Sequence, residues 1–221
     1  MKIAIIAPHM DDEVLGCGGI IAKHVERGDR VCVIIVAHRV YEHQYDKQRN
    51  DVEMSHALKA KEVLGYESIE FLGLPDERLD AAVQEIIIPL ESLIREMQPE
   101  TVFIPFSGDN NQDHRSVFHA ARVVLRPSAT PFIKNLYMYE VPSSTEQSPP
   151  LPENAFLPNF YVDVTNQIEK KLKALKCYET ETRAHPHPRS EKSVAILAQK
   201  RGIEIGFEYA EAFAILRQKW E

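Results

Sequence analysis

This 221-residue chain has no long apolar runs, no paired cysteines, no excess of positive charge and no repeated or low-complexity tracts. No stretch approaches the roughly 20 apolar residues that cross a bilayer, which argues against a membrane span. The opening MKIAIIAPH runs directly into polar residues and is too short for a signal peptide, so a soluble, cytoplasmic protein is expected. Three cysteines, Cys17, Cys32 and Cys177, are odd in number and widely spaced, which excludes a disulfide framework and a thiolate metal site. The formal net charge of -7, with no local basic patch, argues against nucleic acid as a partner.

What is present suits one buried core. A hydrophobic content of 44% and a charged content of 27% support a single domain over residues 1–221. Ile3 to Ala7 reads as a buried strand, and Val14 to Glu26 carries a helical apolar stripe that stops near Gly28. Val31 to Ala37 (VCVIIVA) reads as a strand buried on both faces, as in parallel sheets. This is a βαβ unit. The pattern continues with a helix from about Lys47 to Leu64, a strand from Ser68 to Leu74, a helix from Ala81 to Met97 broken or bent at Pro89, and a strand from Thr101 to Phe106. A helix follows from His114 to Val124, which Asp113 can start, and then a strand from Asn135 to Val141. SSTEQSPPLPEN reads as a long surface loop. Phe160 to Val164, a helix from Asn166 to Tyr178, an extended RAHPHPRS segment, a helix from Glu191 to Lys200 and an apolar stretch from Ala210 to Leu216 complete the chain. Strand and helix alternate through the first 125 residues, which predicts an α/β layered fold with a mainly parallel sheet.

Two polar turns carry the chemistry, and each leaves the carboxyl end of a predicted strand, where ligands bind in open α/β sheets. The first, PHMDDEVLGCGG, puts His9, Asp11, Asp12 and Glu13 in five residues. The second, SGDNNQDHRSV, holds Asp113 and His114, with Asp109, Asn110 and Asn111 as turn residues. A catalytic divalent metal commonly takes three protein ligands and leaves a position open for water. His9, Asp12 and His114 make such a two-His, one-carboxylate set, and Asp11 is then placed to act as a general base. Glu13 suits the positive end of the following helix. Taken alone, either turn also reads as ordinary helix capping. Gly16, Gly18 and Gly19 imitate a phosphate loop, but Ile21 stands where the third glycine of G-x-G-x-x-G belongs and no acidic residue ends the second strand. Close helix packing explains these glycines better.

PHMDDE with its Gly-rich continuation resembles the PHPDDE-type signature of the LmbE-like (PIG-L) family of zinc-dependent N-deacetylases. QDHR at 112–115 resembles the end of that family's second motif, His-x-Asp-His. Arg49 and Glu53, with Leu64-Gly65, are similar to its Arg-x-x-x-Glu region, and the tail, Arg201-Gly202 followed by YAEAF at 209–213, is similar to the carboxyl end of bacterial members. The resemblance implies a Rossmann-like three-layer sandwich, one zinc ion (Zn2+) per chain, and hydrolysis of an N-acyl group, usually acetyl, on an amino sugar or sugar conjugate. It implies His9, Asp12 and His114 as the zinc ligands, Asp11 as the base, Asp113 as an orienting residue and Arg49 as a substrate contact. Oligomers are implied too, with the YAEAF tail as either interface or core.

Asn111 departs from the pattern, standing where the family often has an imidazole. It can donate a hydrogen bond to an oxyanion but cannot supply a proton. The segment His185-Pro-His-Pro-Arg-Ser offers a replacement acid in His187, with His185 second and Arg189 binding a substrate hydroxyl or carboxylate. The alternative is a solvated loop without a role. His38, Arg39, Tyr41 and His43 are candidate pocket residues. Two other functions stay open at this level: an amidase on a larger sugar conjugate, and a non-catalytic Rossmann-like module that binds carbohydrate or nucleotide.

Overall fold

Successive apolar side chains that point to opposite faces of the central strands build the centre of the molecule. The structure, a computed structural model, describes residues 1–41 and 43–220; Glu42, the Tyr41 side chain and Glu221 lie outside the described residues. Strands β1 (Lys2–Ala7), β2 (Arg30–His38), β3 (Val40–Tyr41), β4 (Gln44–Tyr45), β5 (Ser68–Pro75), β6 (Thr101–Pro105), β7 (Asn135–Tyr139), β8 (Phe160–Asp163) and β9 (Ala210–Gln218) are joined by helices α1 (Asp12–Glu26), α2 (Lys47–Leu64), α3 (Val83–Met97), α4 (Gln112–Val124), α5 (Ile168–Lys176) and α6 (Glu191–Ile203). Seven strands form one sheet in the order β5-β2-β1-β6-β7-β9-β8, and β3 and β4 form a separate hairpin. The strands from β5 to β7 pair in parallel, whereas β9 runs antiparallel to both β7 and β8.

The layers follow from that alternation. On β1, Ile3, Ile5 and Ala7 face a core shared with Val14 and Ile21 of α1, Leu64 of α2, Leu175 of α5 and Val194 of α6. Ala4 and Ile6 face the opposite core, with Ile86, Leu90 and Ile94 of α3 and Val117 and Ala121 of α4. The result is a three-layer α/β/α sandwich on a mostly parallel sheet, as the sequence predicts. From β1 the chain steps outward to β2 and β5, then returns to lay β6 on the other side of β1. The crevice at the carboxyl ends of β1 and β6 is therefore the topological switch point, the preferred ligand position in such sheets.

The structure decides three local expectations. α3 runs through Pro89 without a break. RAHPHPRS is not extended: the His187 amide donates to the Ala184 carbonyl at 3.1 Å and the Ser190 amide to the His187 carbonyl at 3.0 Å, two turns in place of a strand. The YAEAF tail is core, since Ala210 to Ala214 lie buried in β9 between its two neighbours. The β3–β4 hairpin has no counterpart in the predicted elements, because two-residue strands leave no periodic signal.

Helix α1 is packed unusually close. A Cβ on Gly16 would lie 2.2 Å from the Tyr139 ring, and one on Gly19 would lie 2.7 Å from Val164, so bulk is excluded along this face. That close approach admits a buried ion pair. Lys171 of α5 donates to the Leu15 carbonyl at 2.8 Å and to Glu211 of β9 at 2.6 Å, and the two Glu211 oxygens accept the Gly19 and Ile20 amides at 2.7 Å each. Leu15 and Gly19 are four apart, ladder partners in a regular helix, so the pair binds to a rung of α1 itself. The glycine-rich stretch thus serves close packing, as expected.

Candidate active site

The loop after β1 turns into α1 through Asp11, whose backbone lies at φ 116°, ψ -28°. A non-glycine residue held there carries a conformational cost on the order of 1–3 kcal/mol. As the residue before the helix, Asp11 does not cap it: its side chain makes no capping hydrogen bond. Instead Oδ2 accepts from Arg189 Nη1 at 3.0 Å, and the Asp11 amide donates to Glu13 Oε2 at 3.1 Å. Glu13 Oε1 accepts the Tyr178 hydroxyl. This folded-back glutamate is half of a capping box, displaced by one residue.

Asp12 points the other way, into a cluster built by both turns. His9 Nδ1 and His114 Nε2 each lie 3.2 Å from Asp12 Oδ2. One ligand atom from each of the three residues lies within 4.8 Å of the others, and all three residues are buried. His9 Nε2 faces Asp113 Oδ2 at 3.1 Å, and that carboxylate also accepts the Glu77 and Leu79 amides at 2.7 and 3.2 Å. His114 Nδ1 stands 3.3 Å from Asp109 Oδ2 without completing a hydrogen bond. Asp109 is fixed in turn by the Ser144 and Thr145 hydroxyls and the Asn111 amide.

Two features show that the cluster fits a divalent ion. Asp12 Oδ1 is buried with no hydrogen-bond partner, a costly state for a carboxylate oxygen unless something binds it. The donors, two imidazoles and one carboxylate, each imidazole backed by a further carboxylate, are those of hydrolytic metal sites. Charge in the cluster follows the same geometry. Burial would raise the Asp12 carboxyl, but His114 and His9 outweigh it and hold it well below the usual range. Burial would lower His114, yet Asp12 and Asp109 push it up to about 10. His9 is likewise raised, since Asp113 and Asp12 overcome its burial. For Asp11 burial wins: the carboxyl is pushed up to about 7 although Arg189 opposes the shift. Burial also raises Glu13 to about 8, against the Tyr178 hydrogen bond.

A cleft of about 610 Å³ opens over the cluster, with His9, Asp113, Asn111, Arg39, Asp76 and His43 among its walls. Four loops that supply the site leave adjacent strands: the first two turns after β1 and β6, Arg39 after β2, and Asp76 to Arg78 after β5. Asn111 caps α4, its Oδ1 accepting the Asp113 amide at 2.8 Å, so the cap is Asn111 where sequence reasoning puts Asp113. Arg189 is not turned to the cleft; it holds Asp11, Glu181 at 2.6 Å and Ser143 at 2.7 Å. His187 and His185 are exposed, with Nδ1 atoms engaged by the Arg189 amide at 3.1 Å and by Ser193 at 3.2 Å. Arg49 is exposed on α2, 3.6 Å from Asp46, and is not among the cleft walls. Sequence reasoning missed Glu181, which pairs with both Arg39 and Arg189, and read Asp109 only as a turn residue. Their partners come from distant segments, so no local pattern marks them.

Comparison with known proteins agrees with this geometry. A deacetylase of Escherichia coli described as uncharacterized is 26% identical over 184 residues, covering 80% of this chain and 90% of its own length. The diacetylchitobiose deacetylase of Thermococcus kodakarensis is 24% identical over 224 residues, covering 95% of this chain and 81% of its own. The crystal structure of a 4-carboxy-2-hydroxymuconate hydratase from Pseudomonas putida superposes with a TM-score of 0.77 at 22% identity, over 100% of this chain and 98% of that one, and shows the shared fold. The family model for GlcNAc-PI de-N-acetylase matches residues 4–125, which contain most of β1, both polar turns and all three candidate metal ligands, and the chain belongs to that family, PIG-L.

Proposed function

We propose that this protein is a zinc-dependent N-deacetylase that releases acetate from an N-acetylated amino sugar or sugar conjugate. The observation that carries the reading is the buried His9, Asp12 and His114 cluster, in which Asp12 Oδ2 faces both imidazoles, Asp12 Oδ1 has no partner, and His9 lines a cleft. The named deacetylases among its relatives support the reaction, and the diacetylchitobiose enzyme supports an amino-sugar substrate. Because a hydratase shares the fold, the site and not the fold must choose the chemistry.

A divalent ion on His9, Asp12 and His114 would supply Lewis acidity toward an amide carbonyl and make water more acidic. The chain's own residues do the rest. Asp113 fixes the ring of His9, and Asp109 faces that of His114. Asp11, a buried carboxylate held by Arg189 Nη1 at 3.0 Å, takes the proton as water attacks the carbonyl carbon. The oxyanion is met by the Nδ2 end of Asn111, whose Oδ1 is committed to the helix cap. As the C–N bond breaks, the protonated Asp11 returns its proton to the leaving amine, and acetate and free amine result. His187 is assigned as a second acid through Nε2, with His185 as its substitute, and Arg49 as a contact to the outer part of a larger substrate. Arg189 belongs with the base it touches.

Acetate and free amine are to be measured across N-acetylated sugars, with and without a chelator. Chelator-sensitive release of both products in equal amounts is expected; binding without turnover would instead favour a carbohydrate-binding module. Full kcat in a zinc-loaded H187A variant would remove the second acid.

A further inference from the structure

We infer that Tyr178 is a positioning residue for Asp11, holding the base from outside the region that the family model covers. This inference rests on the assignment of Asp11 as the base. The two Glu13 oxygens are both committed, one to the Asp11 amide and one to the Tyr178 hydroxyl, and Asp11, Glu13 and Tyr178 are 1%, 0% and 0% exposed. Glu13 therefore acts on the backbone of Asp11: it accepts the one amide that an unfavourable positive φ presents, and Tyr178 keeps Glu13 turned toward it.

The same tyrosine fixes the other half of Asp11. Its carbonyl accepts the Glu181 amide at 3.1 Å and the Thr182 amide and hydroxyl at 2.9 Å each, which sets the turn that carries Glu181. The Glu181 carboxylate binds Arg189 Nη1 at 2.6 Å, and the same nitrogen binds Asp11 Oδ2. Through its hydroxyl Tyr178 reaches the backbone of Asp11, and through its carbonyl it reaches the carboxylate. Thr180, two residues on, donates to the buried Glu53 of α2 at 2.5 Å, so the turn is anchored on a second helix. The matched family region ends at residue 125, so Tyr178, Glu181 and Arg189 lie beyond it, while Glu13 lies within it.

The test compares Tyr178→Phe, Glu13→Ala and Glu13→Gln in the zinc-loaded protein, with crystal structures of the first two. Tyr178→Phe deletes one hydroxyl and keeps the ring, so folding is preserved. Because a displacement near 1 Å can lower turnover on the order of 100-fold, kcat is expected to fall roughly 10- to 100-fold in Tyr178→Phe and Glu13→Ala, with KM and bound zinc unchanged. Glu13→Gln, which keeps an acceptor for the Asp11 amide, should restore most of the loss. In the crystals, the Asp11 backbone should leave its positive φ or its carboxylate should leave Arg189. Asp11 in its original conformation in both crystals overturns the inference whether or not the protein hydrolyses N-acetyl sugars. Unchanged kcat in both variants, where the wild type is active, overturns it equally. Absence of hydrolysis by the wild type, with Asp11 displaced in the crystals, would instead overturn the proposed function alone.

Discussion

Helix α1 carries two buried polar clusters a few residues apart, and they are finished differently. At its middle, Lys171 and Glu211 satisfy each other and also a carbonyl and two amides of the helix. At its head, Asp12 keeps one buried oxygen with no partner, and His114 one nitrogen. Both clusters pay desolvation on burial, but only the first recovers it within the chain. A polar cluster that closes on itself is structure; one left open under a cleft is a place for something else to bind.

The comparison breaks most sharply at Asp12. Asp12→Asn removes the anionic ligand at nearly constant shape, and should abolish zinc binding and lower turnover roughly a thousandfold or more, in line with the several kcal/mol that metal polarisation supplies. Metal analysis and acetate release check it. Lys171→Met should do the reverse. It strands Glu211, but the two amides still hold that carboxylate, so a destabilisation of about 3 kcal/mol, the lower end for a broken buried pair, is expected in urea titration. Refolded Lys171→Met should still bind zinc.

Smaller effects sharpen the contrast. Asp113→Asn leaves every ligand in place but loosens the His9 ring, and zinc affinity should drop about 10- to 100-fold in competition titrations. Gly16→Ala adds a methyl against Tyr139. Overpacking costs about 1–3 kcal/mol, while alanine favours the helix by about 1 kcal/mol. The net loss should therefore be at most about 2 kcal/mol, seen as a modest fall in Tm with zinc binding intact.

Much of this was legible before any coordinates. Strands buried on both faces read as short continuous apolar runs, which is why β1, β2 and β6 and the helices between them lie close to their expected limits. His9, Asp12 and His114 come together because both turns leave neighbouring strand ends, and strand order in a βαβ fold is predictable enough to bring them there. What local sequence could not show is which distant group completes each residue. Arg189 is 178 positions from Asp11, and nothing in RAHPHPRS announces that its arginine faces a carboxylate while its histidines face solvent. The prolines suggested an extended strand because each restrains the residue before it, but the turns close through backbone bonds that composition does not encode. By charge alone Glu13 is a helix-end acid; its geometry makes it a strap on the backbone of Asp11.

The place of β9 in the sheet has a consequence for how the molecule is made. During synthesis the ribosome delivers His9, Asp11 and Asp12 among the first residues, yet the carboxylate that binds the amides of their helix, Glu211, emerges almost two hundred residues later, in the strand that inserts between β7 and β8. The first part of the candidate site to be translated is thus secured among the last, and a nascent chain halted before β9 holds all three candidate metal ligands without the strand that braces their helix α1.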